Sequence, residues 1–199
     1  RPSCGEESPE GIKPPVGPYP APTLRRCDPR RLAAAMAEVG REVRGNHHAK
    51  CAVETALLDA WGKRVGQPLS ELLGGRVRDR LPVAWTLASG DTARDVAEAE
   101  EMLDRRRHRV FKLKIGAREM REDVAHVAAV KRALGDRAEV RVDVNQAWDE
   151  ATAMRGMAAL EDAGVDLVEQ PVPRSNRAAL ERLSRRFLVP VMADEALHA

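Results

Sequence analysis

Lys112 and Lys114, separated by one residue, and three later acids, Asp143, Glu169 and Asp194, are the residues whose types and spacing suit them to chemistry. On a strand, residues two apart share a face, so the two ammoniums stand roughly 6.6 Å apart at about 3.3 Å per residue. At an effective dielectric of about 20 they repel by about 2.5 kcal/mol, or roughly two pKa units, which lets one of them be neutral at about pH 8 and act as a base. An isolated Lys-x-Lys is more commonly a solvated strand rim. Three gathered carboxylates raise one another's pKa unless a cation compensates, and all-oxygen ligation suits a hard divalent ion, Mg2+ or Mn2+, better than zinc. The bland alternative is that each acid caps the helix following its strand, where the dipole favours negative charge. Three acids in register with a lysine pair weigh toward the metal.

These residues need a scaffold that brings them together. Beyond Leu81 the pattern alternates: strand-like runs at 82–87, 109–115, 140–144, 165–169 and 189–193, with helical runs at 92–107, 119–134, 149–163 and 176–186 between them. A βαβα order implies parallel strands covered by helices. The steps from 114 to 143, 143 to 169 and 169 to 194 are each about one β/α unit of an eight-unit barrel of roughly 250 residues. In such a barrel the carboxyl ends of all strands open on one face, so the acids and lysines converge. The fold expected is α/β, a partial (β/α)8 barrel of about five strands. A doubly wound open sheet competes, but no glycine-rich phosphate fingerprint follows the first strand.

Upstream, residues 1–27 read as irregular because Pro14, Pro15, Pro18, Pro20 and Pro22 crowd together. A helix is expected over 28–42, with Asp28 as cap and Leu32, Ala35, Met36 and Val39 on one face. A second is expected over 49–65, with Val53, Ala56, Leu57 and Ala60 on its apolar side and Gly66 as stop. His47 and His48 read as a solvated loop pair, Cys51 as a small packed apolar group. Trp61, Trp85 and Trp148 are too scattered for a stacking platform, although Trp85 can reach the barrel mouth. Arg105, Arg106, Arg107, His108 and Arg109 read as cations closing a helix, with an anion site as the lesser reading.

Apolar residues at 43% and charged residues at 32% are the balance of a soluble globular protein. With 33 basic against 31 acidic residues the net charge of +2 gives no nucleic-acid footprint, and small-molecule partners are expected. Cys4, Cys27 and Cys51 are an odd set without metal-ligand spacing, so neither disulfides nor zinc is indicated and a reducing cytoplasm is the default. No apolar run approaches the ~20 residues needed to span a bilayer. The chain opens on Arg1 without methionine, and its strands stop about three short of a barrel, so a fragment of a longer protein is expected.

The runs ETALLD (54–59), LLGG (72–75), FKLKIG (111–116), DVNQAW (143–148), EQP (169–171) and ADE (193–195) resemble the enolase superfamily in its muconate-lactonizing subgroup. AWTLASGDTARD (84–95), RRHRVFKLKIG (106–116) and ESPEGIK (7–13) add to that resemblance. It implies Lys114 as the base or acid at the substrate's α-carbon and Lys112 as its electrostatic support. Asp143, Glu169 and Asp194 become the ligands of Mn2+ or Mg2+, and Asn145 a neighbour behind them. It implies a partial α+β capping domain over 1–75, the barrel's N-terminal part over 76–199, and a homo-oligomer. The activity implied is interconversion of cis,cis-muconate and muconolactone in catechol breakdown, by proton transfer at the carbon α to a carboxylate that the metal binds. Subgroup members acting on chloromuconate, epimerizing dipeptides or making o-succinylbenzoate share this constellation, and a noncatalytic truncated remnant is the alternative of another class. The subgroup's lysine after the sixth strand and acid after the eighth fall beyond Ala199.

Overall fold

Strand periodicity of two decides how the second half of the chain is built. The structure, a computed structural model, describes residues 20–28 and 30–197; the readings made for the proline-rich opening up to residue 19, for Cys4 and for the ESPEGIK run lie outside the described residues. The first compact unit extends to Asp79 and the second begins at Arg80.

In the first unit the helices are α1 (Pro20–Arg26), α2 (Leu32–Glu42), α3 (His47–Val65) and the short α4 (Leu69–Leu72). Helix α1 corrects the irregular reading over residues 20–26. Pro20 and Pro22 fall in its first turn, where amides have no intrahelical acceptor and proline costs nothing in hydrogen bonds. Asp28 is not the cap of α2. Its carboxylate is engaged by the amide and guanidinium of Arg30, which hold its pKa down at about 2. Ala35 and Val39 are buried and Leu32 and Met36 half-buried, as the helical spacing requires. His47 and His48 open α3 instead of lying in a loop, and Cys51 is exposed, as are Ala56 and Ala60; Val53 is buried. Gly66 ends α3 in the left-handed conformation at φ 68°.

The second unit is a five-stranded parallel sheet of β1 (Trp85–Leu87), β2 (Val110–Lys114), β3 (Glu139–Asp143), β4 (Leu167–Glu169) and β5 (Val191–Met192). Between consecutive strands lie α5 (Thr92–Asp104), α6 (Met120–Leu134), α7 (Glu150–Asp162) and α8 (Arg177–Arg186). Spatial order equals chain order, β1-β2-β3-β4-β5. A doubly wound sheet reverses its order at a switch point, so this progression selects the barrel type of winding.

One face of the sheet is aliphatic. Leu87, Phe111, Leu113, Val140, Val142 and Val168 alternate out of the strands and are each at most 1% exposed. Against them pack Ala99, Val127, Val130, Met157, Leu160 and Leu183 of the four helices, in a single core. Each fully buried aliphatic or aromatic side chain there contributes roughly 1.5–3 kcal/mol. The opposite face, by the same alternation, carries Lys112, Lys114, Arg141, Asp143 and Glu169. Among the described residues no helix is long and apolar enough to cross a membrane.

Trp148, just before α7, is 4% exposed and lies over Gly156, where an added Cβ would stand 2.5 Å from the indole. Alanine gains about 1 kcal/mol of helix propensity over glycine, but overpacking a tight core costs roughly 1–3 kcal/mol. Gly156→Ala is therefore expected to lower the urea midpoint. A raised midpoint would show that the indole yields without cost.

Candidate active site at the strand ends

The lysines and two of the acids meet at the carboxyl ends of the central strands because the ladder puts them level. Lys114 is the register partner of Asp143, and Asp143 of Glu169. The Lys112 ammonium, set one pleat lower, lies 2.9 Å from Asp143 Oδ2 and 2.6 Å from Glu169 Oε2. Lys114 Nζ stands 3.5 Å from the same Asp143 oxygen and donates to Asn145 Oδ1 at 3.2 Å.

Burial makes these contacts matter. Asp143 is 1% and Glu169 6% exposed, so each needs a compensating positive charge within hydrogen-bond reach. Burial by itself pulls the Lys112 ammonium down, yet the hydrogen bonds to Glu169 and then Asp143 outweigh it and hold its pKa above the ordinary lysine value. Repulsion between neighbouring lysines, which sequence spacing suggested, is thus outweighed at Lys112. Lys114 is the more exposed of the pair.

For Asp143 and Glu169 the helix-capping alternative fails on identity. Helices α5, α7 and α8 are capped by Asp91, Asp149 and Asn176, whose side chains accept from the amides of Arg94, Thr152 and Ala179. At Asp149 the bond from the Thr152 amide also lowers the carboxyl pKa. Asp143 and Glu169 sit before these positions, with Asp143 Oδ1 accepting from the Asn145 amide at 3.0 Å.

Asp194 is placed differently. It is exposed, and its amide donates to Gln170 Oε1 at 2.9 Å. Among the described residues no three metal-ligating side chains are gathered closely enough to hold an ion. The neighbouring Glu195 is buried instead: Asn145 Nδ2 donates to its Oε1 at 3.5 Å, and its Oε2 has no hydrogen-bond partner among the described residues. The donors present, the buried carboxylates of Asp143 and Glu169 and the unpartnered Glu195 Oε2, are all oxygen, the donor chemistry that suits a hard divalent cation, but they are not gathered around one point.

Several braces were not visible from residue types. Gln170, fully buried with a left-handed φ of 38°, accepts from the amides of Asp194 and Ala196 and donates to Val172 O. It ties the end of β4 to the end of β5. Asp123 of α6 accepts from the Gly116 amide at 2.7 Å, two residues past Lys114, and Gly116 itself has φ 100° with Ala147 and Val144 against it. One turn along, His126 faces Asp95 at 3.2 Å and bonds Thr92 Oγ1 at 2.7 Å. Asp95 in turn accepts from the amide and hydroxyl of Ser89 after β1. Helix spacing hinted that Asp123 and His126 share a face, but acids and histidines on helices are usually solvated, so the pattern alone carried no sign of burial.

Residues 94–199 match the family described as "Enolase C-terminal domain-like", and residues 3–74 match "Mandelate racemase / muconate lactonizing enzyme, N-terminal domain". Muconate cycloisomerase 1 of Pseudomonas putida is 57% identical over 98% of this chain and 52% of its own length. A chloromuconate cycloisomerase of Delftia acidovorans is 48% identical over 98% of this chain and 53% of its own. The crystal structure of a muconate lactonizing enzyme from Pseudomonas fluorescens complexed with muconolactone superposes with a TM-score of 0.95 at 59% identity, covering 98% of this chain and 52% of that one. The chain thus spans about half the length of the relatives it matches, and its parallel unit is part of a (β/α)8 barrel. With both family matches, the strand order and this likeness in hand, the chain belongs to the mandelate racemase and muconate lactonizing enzyme family of the enolase superfamily.

Proposed function

We propose that the protein of which this chain forms about half is a metal-dependent cycloisomerase interconverting cis,cis-muconate and muconolactone. The carrying observation is the ammonium pair set against buried carboxylates at the strand ends, in a chain more similar to a muconate cycloisomerase than to a chloromuconate one. Asp143, Glu169 and Asp194 would hold Mn2+ or Mg2+, with Asp194 turning inward from its exposed position. The ion, when bound, supplies several kcal/mol of stabilization where a substrate carboxylate gains negative charge.

Lys114 moves the proton. Its Nζ delivers it to the carbon α to the substrate carboxylate as the ring forms, and takes it back in reverse. The difficulty it meets is that a carbon acid beside a carboxylate doubles its negative charge on ionizing, and every 1.36 kcal/mol of relief is about tenfold in rate. A Lys base with a divalent ion is the pattern already given for the enolase superfamily as a class. Lys112, held cationic by Asp143 and Glu169, keeps positive charge at that carboxylate and raises the cost of a second ammonium beside it, which favours proton release from Lys114. Asn145, bonded to Lys114, fixes the direction in which Nζ points. Residues 1–75 are the partial capping domain and 76–199 the barrel's N-terminal part; the complete protein is a cytoplasmic homo-oligomer acting on a small dicarboxylate.

In the complete protein, Lys114→Ala is expected to lower kcat with cis,cis-muconate by about a thousandfold while Mn2+ affinity stays nearly unchanged; retained lactonization would remove Lys114 from its role. Glu169→Gln should weaken Mn2+ binding roughly tenfold or more in a calorimetric titration, and an unaltered isotherm contradicts ligation. Lys112→Met leaves two buried carboxylates without their cation and should cost about 3 kcal/mol of stability, partly recovered by Mn2+. Equal denaturation midpoints for variant and parent, measured without metal, would contradict that dependence.

A further inference from the structure

We infer that the opposite end of the sheet carries a second binding site, a basic cavity for a small organic anion with an apolar body. Sequence reading ran α5 to residue 107 and assigned the arginine run to its end. The helix instead stops at Asp104, and Arg106 adopts a left-handed φ of 52°. That turn presents Arg106, Arg107 and Arg109 to a cavity of about 440 Å3. Arg137, from the turn before β3, faces the same space. Pro82, Val83 and Leu103 form its apolar wall.

Arg137 and His108 are held in place. Arg137 donates to Ala133 O at 3.0 Å, to Leu134 O at 3.2 Å and to Glu100 Oε1 at 3.2 Å. His108 is fixed through Nδ1, 2.9 Å from Val83 O, and its ring lies 5.0 Å from that of Trp85. A carbonyl only accepts, so Nδ1 carries a proton. Arg106, Arg107 and Arg109 have no ion-pair partner among the described residues. Glu100 is thus the one acid paired to a guanidinium of this cavity among the described residues.

Concave surfaces lined by one sign of charge focus the field and concentrate counter-ions. Guanidiniums grip carboxylate and phosphate oxygens two at a time. The volume lies within the roughly 300–1,000 Å3 of small-molecule sites. The cationic rim selects an anionic head and the Pro82, Val83 and Leu103 wall an apolar body, which together specify an organic phosphate or carboxylate. Strand β2 separates this cavity from Lys114 by roughly 13 Å at about 3.3 Å per residue, so an occupant leaves the strand-end site open.

The test is calorimetric titration of the complete protein with phenyl phosphate at constant ionic strength. Saturable binding is expected, weakened at least roughly tenfold by Arg107→Glu with Arg109→Glu and less by the corresponding Gln pair. Inorganic phosphate, lacking the ring, should bind more weakly. Because both arginines are exposed, the variants should keep their circular dichroism and muconate turnover, so failure here is separable from failure of the proposed reaction. Absence of saturation up to about 10 mM, or saturation unchanged in the double variant, overturns the site. Tighter binding of a hexaglutamate peptide than of phenyl phosphate overturns it in favour of a protein-docking surface.

Discussion

Two carboxylates out of water, Asp143 and Glu169, set the terms for the rest of the second unit. Buried acids ionize only beside positive charge, and Lys112 supplies it to both. The contact is inherited from strand register: Lys114, Asp143 and Glu169 are level on adjacent parallel strands, with Lys112 one pleat below. A slip of one residue would turn these charges into the aliphatic layer and turn Phe111, Leu113 and Val142 outward. The charged face and the aliphatic face therefore specify the same alignment, and each protects the other.

That arrangement separates two duties of acidic residues that look alike in sequence. Asp91 and Asp149 lie past the strand ends and close their loops by capping helices; Asp143 and Glu169 remain on the strands and accept from an ammonium. The caps orient the helices that bury the aliphatic face. The strand acids meet the Lys112 ammonium at the sheet's end. Between them run the braces: Asp123 on Gly116, Asp95 with His126 and Ser89, and Gln170 across the ends of β4 and β5. These bonds fix loops that would otherwise have few apolar contacts to order them.

The parallel sheet also has two chemically different ends. The carboxyl end gathers acids with lysines; the amino end gathers arginines whose turn after α5 points them into a concave wall. Both follow from one-way winding, since each crossover returns the chain to the same starting edge and stacks corresponding loops beside one another.

Much of this was legible in one dimension. Alternation of apolar residues located all five strands and four helices of the second unit to within a few residues, because a period of two and a period of 3.6 leave different traces. Residue type and spacing singled out Lys112, Lys114, Asp143, Glu169 and Asp194, since one β/α unit separates groups that share a strand-end face. What spacing could not supply was distance and burial. That Lys112 and not Lys114 is clamped between the acids, that Asp194 turns to solvent while Glu195 is buried, and that the arginines leave the helix at Asp104 all depend on side-chain direction. Proline at 20 and 22 misled for the same reason: it forbids a helix interior but not a first turn, and which of the two a residue occupies is decided by where the chain nucleates. Local pattern determines which elements form; charge compensation between residues far apart in sequence is decided only when the folded chain sets their distances.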